Sequence, residues 1–448
     1  MPNKYDIIIL GGGNAGFGVS AIAHEAGKKI AFVENWDFGG TCPNRGCTPK
    51  KFLVSAGQAL HDIERASFHH IDGLSPKLDW AKLIQRKKEA IDFLPEAMAG
   101  LAAKRGDVFT QAGKFVGPNS IQVGDQILEA ENIVIATGSK TRPLPIPGAE
   151  HMITSDEVML EEKQPGEIVF IGGGVIAMEF SHLYARAGTK VTILEAMPQL
   201  LPRIDTDAVA VIQKESERIG ITVDTNVQVK DISFKDGKFH VCYEAGGEVQ
   251  TIAADKVVNG TGRIANVEGL DLDAGNIKHD RISIAVDEHL RSVSNPSVWV
   301  AGDALTTSPQ LAPLATYEGR IVGQNIVEGL KHKPDYATIP NTIFTVPTLS
   351  SLGLTEAEAQ QKKIKVAVSV NDMTDWFTGK SYAESAAWSK ILVDTKKDRI
   401  VGAHLVGHHG EEIINLFALA MRHDIPASQL KEGIYSYPTF SYDVKSMF

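Results

Sequence analysis

One pattern occurs twice in this chain and restricts its fold more than any other feature. The first copy is YDIIILGGGNAGFGVSAIAHEAGKKIAFVE, residues 5–34, and the second is EIVFIGGGVIAMEFSHLYARAGTKVTILE, residues 167–195. Each opens on an apolar run of strand length and passes through a glycine cluster into a helix rich in small residues. Each helix stops at a glycine, and a second β-branched run follows and ends on Glu. Both copies therefore read as βαβ units. At 448 residues the chain is too long for a single hydrophobic core, and the distance between the copies marks two nucleotide-binding domains rather than a short tandem repeat.

In the first copy Gly11, Gly13 and Gly16 form GxGxxG, with Asn14 and Ala15 between the last two glycines. The first glycine permits the tight turn, the second lets a pyrophosphate approach the backbone, and the third lets helix and strand pack closely. The helix N-terminus then directs its positive dipole at the phosphates. Glu34, eighteen residues after Gly16, is placed to accept hydrogen bonds from ribose hydroxyls. The second copy carries Gly172 and Gly174, then Val175 and Ile176 at the helix start, Ala177 at the third fingerprint position, and Glu195 eighteen residues beyond it. Two fingerprints imply two dinucleotides, the arrangement of a flavin with a nicotinamide cofactor. A carboxylate at Glu195 suits a free 2′-hydroxyl and repels a 2′-phosphate. The following AMPQ holds no Arg to receive that phosphate, although Arg203 is nearby. NAD(H) is therefore expected over NADP(H).

Punctuation divides the rest. SKTRPLPIPGAE, residues 139–150, is a Pro-rich linker after the strand NIVIATG; VVNGTGRIANVEGL, residues 257–270, leaves a strand in a glycine turn; SVWVAGDA, residues 297–304, is a strand stopping at Gly302-Asp303. From about Lys333 the character changes. KILVDTKKDRIVGAHLVG reads as an antiparallel hairpin and EEIINLFALAMRHDI as an amphipathic helix, together a separate α+β domain. A net charge of −10 excludes general nucleic-acid binding, which calls for a basic face. No run approaches the ~18 apolar residues of a membrane span, and the N-terminus lacks a signal-peptide pattern, so a cytoplasmic protein with no membrane partner is expected.

Three cysteines in so long a chain do not make a disulfide framework. Cys42 and Cys47, separated by four residues in GGTCPNRGCTPK, admit three readings: a metal half-site, a structural staple or a redox couple. A metal site needs two more ligands, and His408-His409 are the tempting ones; no metal is expected. Cys242, in the apparent strand KFHVCYE, reads as an inert packed cysteine.

GGTCPNRGCTPKK closely resembles the redox signature of the class I pyridine nucleotide-disulfide oxidoreductases, which include glutathione reductase, dihydrolipoamide dehydrogenase and mercuric reductase. The likeness runs the length of the chain: IVIATGS, GGGVIAMEF, GTGRIANVEGL, VWVAGDA, LAPLATYEGR and IFTVPTLSSLGLTEAEA stand in that family's order and spacing. It implies an α/β protein of two Rossmann-like dinucleotide-binding domains, for FAD and NAD, plus a C-terminal α+β dimerisation domain. The expected boundaries are 1–147 and 263–335 for the FAD domain, 148–262 for the NAD domain and 336–448 for dimerisation. Asp303 would hydrogen-bond the ribityl chain, and Gly40, Thr41, Thr137, Gly138, Gly302 and Ala315 would lie along FAD, with Gly262 among the nucleotide-binding glycines. The family's lysine–glutamate pair near the flavin falls on Glu179 and on either Lys50 or Lys51. The family sets both cysteines on one distorted helix, which makes Cys47 the flavin-side thiol and Cys42 the interchange thiol. Reactivity of Cys42 calls for a lowered pKa, from a helix N-terminus and a neighbouring cation. A homodimer is implied, because the partner's C-terminus completes the active site.

The resemblance fails at the end of the chain. Disulfide reductases of the family carry His-Pro-Thr with a Glu five residues after the His; here the stretch is IYSYPTFSYDVKSMF, with Tyr437 at the His position and Tyr442 at the Glu position. A phenol titrates near pH ~10 and an imidazole near neutrality, so Tyr437 or Tyr435 suits a proton or hydrogen-bond donor better than a base at pH 7. The helix arginines that receive glutathione are replaced by Ala21 and Ile22, and a C-terminal cysteine pair like that of mercuric reductase is missing. The expected activity is transfer of electrons from NADH through FAD and the Cys42–Cys47 pair to a small disulfide. The alternatives are a dihydrolipoamide dehydrogenase-like enzyme, a diaphorase with quinone or dye acceptors, or a slowly turning redox-sensing subunit.

Overall fold

The computed structural model describes residues 3–280 and 283–448. The chain forms two compact units, Met1–Lys50 with Gln85–Arg142 and Arg263–Tyr336, and Lys51–Ile84 with Pro143–Gly262 and Ala337–Phe448.

The first unit is built on a sheet ordered Asp107–Phe109, Ile30–Val33, Asn3–Leu10, Gln126–Ile135, Ser120–Val123, Gly113–Gly117, with Val298–Val300 also paired to Gln126–Ile135. Pairing is parallel from Asp107–Phe109 through to Gln126–Ile135 and again at Val298–Val300, and antiparallel beyond. Parallel strands are covered on both faces, so they read as unbroken apolar runs: Ile7–Leu10, Ile30–Val33, Ile133–Ile135 and Val298–Val300 are all buried. Leu10 pairs with Ile135, and Ile135 with Val300. The glycine turns that follow these three strands, at Gly11, Thr137-Gly138 and Gly302, therefore lie together at the carboxyl edge of the sheet, where open α/β sheets bind their ligands.

Two helices start at that edge, Asn14–Glu25 and Ala312–Glu328. They pack backbone to backbone. A Cβ on Gly319 would stand 2.1 Å from the Ala15 carbonyl oxygen, and one on Gly18 2.5 Å from that of Thr316.

The second unit holds the second βαβ copy. Its sheet is ordered Thr222–Asp224, Lys190–Leu194, Glu167–Ile171, Lys256–Asn259, all parallel, and a three-stranded antiparallel meander spans Gln228–Lys235, Lys238–Ala245 and Glu248–Ala254. The same unit contains a five-stranded antiparallel sheet: Asn341–Ile343, Thr348–Gly353, Arg399–Gly407, Trp388–Asp394, Val366–Asp372. The anticipated hairpin is Trp388–Asp394 with Arg399–Gly407, and the amphipathic helix, Gly410–Arg422, buries Ile413, Ile414, Phe417 and Ala420. Leu53, Phe170, Leu183, Ile193, Leu349 and Val406 belong to one apolar core within this unit. Among the described residues no helix is long and apolar enough to cross a membrane.

Candidate active site

The first unit exposes bare glycine backbone at the carboxyl edge of its sheet. Gly11 has φ +114°, and a Cβ there would stand 2.2 Å from the Ala136 carbonyl oxygen, so the strand-to-helix turn admits only glycine. Gly16 is excluded from bearing a side chain by the Gly11 carbonyl, 2.2 Å from a built Cβ. Gly13 and Gly40 face each other: a Cβ on Gly40, at φ +66°, would meet the Gly13 Cα at 2.8 Å. Bare backbone on both sides is the surface a pyrophosphate needs. The Glu34 carboxylate accepts from the Gly12 amide and from the Trp36 amide, both at 2.8 Å, which leaves lone pairs for ribose hydroxyls. Two buried polar atoms, Thr137 Oγ1 and Asn44 Oδ1, have no hydrogen-bond partner among the described residues. Orphans of this kind, beside glycine turns at a sheet edge, fit a polar cofactor such as FAD.

Asp303 stands on the turn after Val298–Val300. Burial pushes its carboxyl up, opposed by the Ser139 hydroxyl, which donates to it at 3.1 Å, and by the charge of Arg263. Arg263 in turn donates from Nε to Ser139 Oγ at 2.8 Å. Gly302, at φ +71°, lies against Ala15 and Ala315, whose Cβ atoms are 2.9 and 3.2 Å from a built Cβ. Glu318 was not singled out by sequence reasoning. It is fully buried, accepts from the Gly302 amide and the Tyr336 hydroxyl at 2.8 Å each, and so fixes the turn that carries Asp303. Burial raises its carboxyl pKa, and hydrogen bonds from Tyr336 and Ser308 oppose this. The only hint in LAPLATYEGR was an acid among apolar helix positions.

The cysteines occupy the starts of two short-spaced helices rather than one: Cys42 lies in Thr41–Arg45, and Cys47 opens Cys47–Ala66. Gly46, at φ −144° and ψ −120°, breaks the path between them. Both are free thiols, Cys42 half-buried and Cys47 exposed. The hydrogen bond between the two side chains, then burial, pushes the Cys42 thiol up; Lys50 acts in the opposite direction. This differs from the lowered value expected from sequence. The physical reason is the second sulfur, since a proton held between two adjacent thiols is costly to remove from Cys42. Of the two candidate lysines, Lys50 is the one whose charge reaches Cys42, whereas Lys51 Nζ lies 4.0 Å from the centroid of the Phe344 ring.

In the second unit the fingerprint geometry repeats. Gly172 has φ +97° and would clash with the Gly260 carbonyl oxygen at 2.5 Å; a Cβ on Gly174 would lie 3.5 Å from the same atom. Val175 and Ile176 begin the helix Val175–Arg186, and Gly262 takes φ +104°. Glu195 copies Glu34: its carboxylate accepts from the Gly173 amide at 2.5 Å and the Met197 amide at 2.7 Å. Ala177 at the third position is fully buried. The cradle fits a second dinucleotide. Glu179 is buried, and its carboxylate accepts from the Phe344 amide at 2.8 Å.

Tyr437 is 63% exposed. His408 is half-buried: its ring packs on Tyr382 and Phe440, and burial with His409 alongside lowers its pKa to about 4. Cys242 is half-buried rather than enclosed. Among the described residues no group of three or more His, Cys, Asp or Glu is arranged to hold a metal.

Comparison with known proteins agrees with this geometry. Residues 5–319 match the family model described as pyridine nucleotide-disulphide oxidoreductase, and residues 339–448 match its dimerisation domain. The dihydrolipoyl dehydrogenase of Bacillus subtilis (strain 168) is 30% identical over 98% of this chain and 96% of its own length. The glutathione reductase of Burkholderia cepacia is 30% identical over 98% and 97%. A solved Cu(II) complex of the HOCl-induced flavoprotein disulfide reductase RclA from Escherichia coli matches with TM-score 0.88 at 28% identity, covering 99% of both chains. Two glycine cradles, a dithiol between two helix starts and this agreement over the whole length lead to one conclusion: the chain belongs to the class I pyridine nucleotide-disulfide oxidoreductases, a family of FAD-dependent enzymes that act on sulfur groups.

Proposed function

We propose that this enzyme reduces a small disulfide with electrons from NADH, and that Cys42 and Cys47 form its redox couple. The observation that carries the reading is the hydrogen-bonded thiol pair within the unit that holds the first cradle. FAD, held by Gly11, Gly13, Asn14, Ala15, Gly16, Glu34, Gly40, Thr41, Thr137, Gly138, Gly302, Asp303 and Ala315, would take hydride from the nicotinamide and return the cysteine pair to its dithiol state.

Cys42 attacks one sulfur of the substrate as thiolate, forming a mixed disulfide and expelling the first substrate thiolate. Cys47 then attacks the Cys42 sulfur, closing the Cys42–Cys47 disulfide and releasing the second. Two electrons leave the dithiol and two substrate thiols form. Tyr437 donates the proton that a basic leaving thiolate needs. Lys50, close enough in charge to favour the Cys42 thiolate, is the flavin-side lysine on this reading, with Glu179 its family partner. Gly172, Gly174, Val175, Ile176, Glu195 and Gly262 hold the nicotinamide dinucleotide, and Glu195 selects NADH. The working form is a homodimer through residues 336–448, with the FAD domain at 1–147 and 263–335 and the NAD domain at 148–262.

The test is a panel of oxidised lipoamide, glutathione disulfide and coenzyme A disulfide, each with NADH and NADPH, on wild type and Cys42→Ser. NADH-dependent turnover of a disulfide that vanishes in Cys42→Ser supports the reading. Equal turnover in both proteins refutes it. A second reading, metal-ion reduction by the dithiol, is favoured by the Cu(II) found with the RclA relative; Cu(II) as acceptor in the same panel decides it.

A further inference from the structure

Tyr437 does not stand alone at the surface. Its ring centroid is 4.7 Å from that of Tyr442, the planes crossing at 69°, and 6.1 Å from that of Phe377, tilted by 32°. Lys445 Nζ lies 5.1 Å from the Tyr442 ring centroid. The backbone under this cluster is tied down: Thr439 Oγ1 accepts from the Tyr442 amide at 3.1 Å and donates to the Ser436 carbonyl at 2.7 Å. The Tyr437 hydroxyl has no hydrogen-bond partner among the described residues. Phe377, at 59% exposure, is left open much as Tyr437 is.

A phenol oxygen lies on the axis of its ring, so the side-chain rotamer alone decides where the oxygen points. An exposed tyrosine samples several rotamers unless neighbouring rings select one. Offset and edge-to-face ring pairs supply that selection. We propose that Tyr442 and Phe377 are positioning residues, which hold the Tyr437 ring so that its hydroxyl is presented to the leaving thiolate, with Lys445 holding Tyr442 in turn. Aromatic packing thus orients the Tyr437 ring. The inference rests on the reading that Tyr437 is the proton donor, and its test separates the two.

Enzyme pre-reduced with NADH is mixed in a stopped-flow instrument with either of two disulfides. Bis(2-hydroxyethyl) disulfide expels a basic thiolate that needs a proton, whereas 5,5′-dithiobis(2-nitrobenzoate) expels an acidic one that does not. Tyr442→Ala and Phe377→Ala should each slow the first reaction about three- to ten-fold and leave the second within about two-fold of wild type. Tyr442→Phe should keep the wild-type rate on both. In a Tyr437→Phe background, Tyr442→Ala should add nothing. The inference is overturned if Tyr442→Ala slows both disulfides alike, if it slows Tyr437→Phe by the same factor as wild type, or if neither alanine variant slows anything while Tyr437→Phe does. A Tyr437→Phe protein as fast as wild type on both disulfides refutes the donor reading itself. Phe377→Ala keeps the test open should Tyr442→Ala fail to fold.

Discussion

Replacing Glu195 by Gln removes one negative charge at nearly constant shape, and its consequence for coenzyme choice can be worked out. A carboxylate about 4 Å from another unit charge contributes roughly 4 kcal/mol at an effective dielectric of about 20, and roughly 1 kcal/mol in bulk water. Glu195 is 7% exposed, which places it between these limits, at about 2–3 kcal/mol of repulsion toward a 2′-phosphate. At about 1.4 kcal/mol per factor of ten, this is roughly 30- to 150-fold in coenzyme discrimination. The exchange also disturbs the protein. Two backbone amides, of Gly173 and Met197, donate to the two carboxylate oxygens, and a Gln offers only one oxygen. One amide is left facing an NH2 group, at a cost of about 1–3 kcal/mol, so the melting temperature should fall. The assay is kcat/KM for NADH and for NADPH with one common acceptor. The ratio should drop by roughly 30-fold or more, with much of the change a gain for NADPH. A wild type that prefers NADPH, or an unchanged ratio in Glu195→Gln, refutes the reasoning.

Other outcomes follow from the same geometry. Gly40→Ala should purify with little flavin, because its Cβ would meet the Gly13 Cα at 2.8 Å, whereas Gly27→Ala, with comparable φ of +69° but open space around it, should keep its flavin; the ratio of visible to ultraviolet absorbance reads both. His182 is fully buried, with Val346 N–H donating to its Nδ1 at 3.2 Å and Ser216 Oγ 2.9 Å from its Nε2, and burial, then the charge of Arg186, lowers its pKa from 6.5 to about 3. The unfolded chain therefore takes up this proton first. The His182 contribution is complete above about pH 6.5 and declines as pH falls toward 3, by at most about 1.4 kcal/mol per pH unit. His182→Gln should flatten that part of a denaturation-against-pH profile, and an unchanged slope would contradict the assignment.

Much of the glycine-turn geometry was legible because it depends on local backbone. The clash of a Cβ at Gly11 with the Ala136 carbonyl, and of one at Gly172 with the Gly260 carbonyl, follows from strand–turn–helix geometry that the glycine spacing encodes. The positions of Glu34 and Glu195, directly after the second strands, were legible for the same reason. What escaped notice depends on residues far apart in sequence. Glu318 matters because of the Gly302 amide, and Ser139 because of Asp303 and Arg263. Periodicity says which face of a helix is buried, and leaves open which distant amide that face meets. The direction of the Cys42 shift also escaped, because it arises from the neighbouring sulfur across a helix break at Gly46 that the spacing alone did not reveal.

On the proposed function, Cys42 and Cys47 cycle between disulfide and dithiol under control of the nicotinamide. The direct measurement is anaerobic alkylation of air-oxidised holoenzyme before and after one equivalent of NADH, with the labelled positions mapped by mass spectrometry. Cys42 and Cys47 should both be protected before NADH and both labelled after it, while Cys242 should label equally in the two samples. Labelling of Cys42 and Cys47 that is the same with and without NADH, in enzyme whose flavin is reduced by it, would rule out this redox cycle.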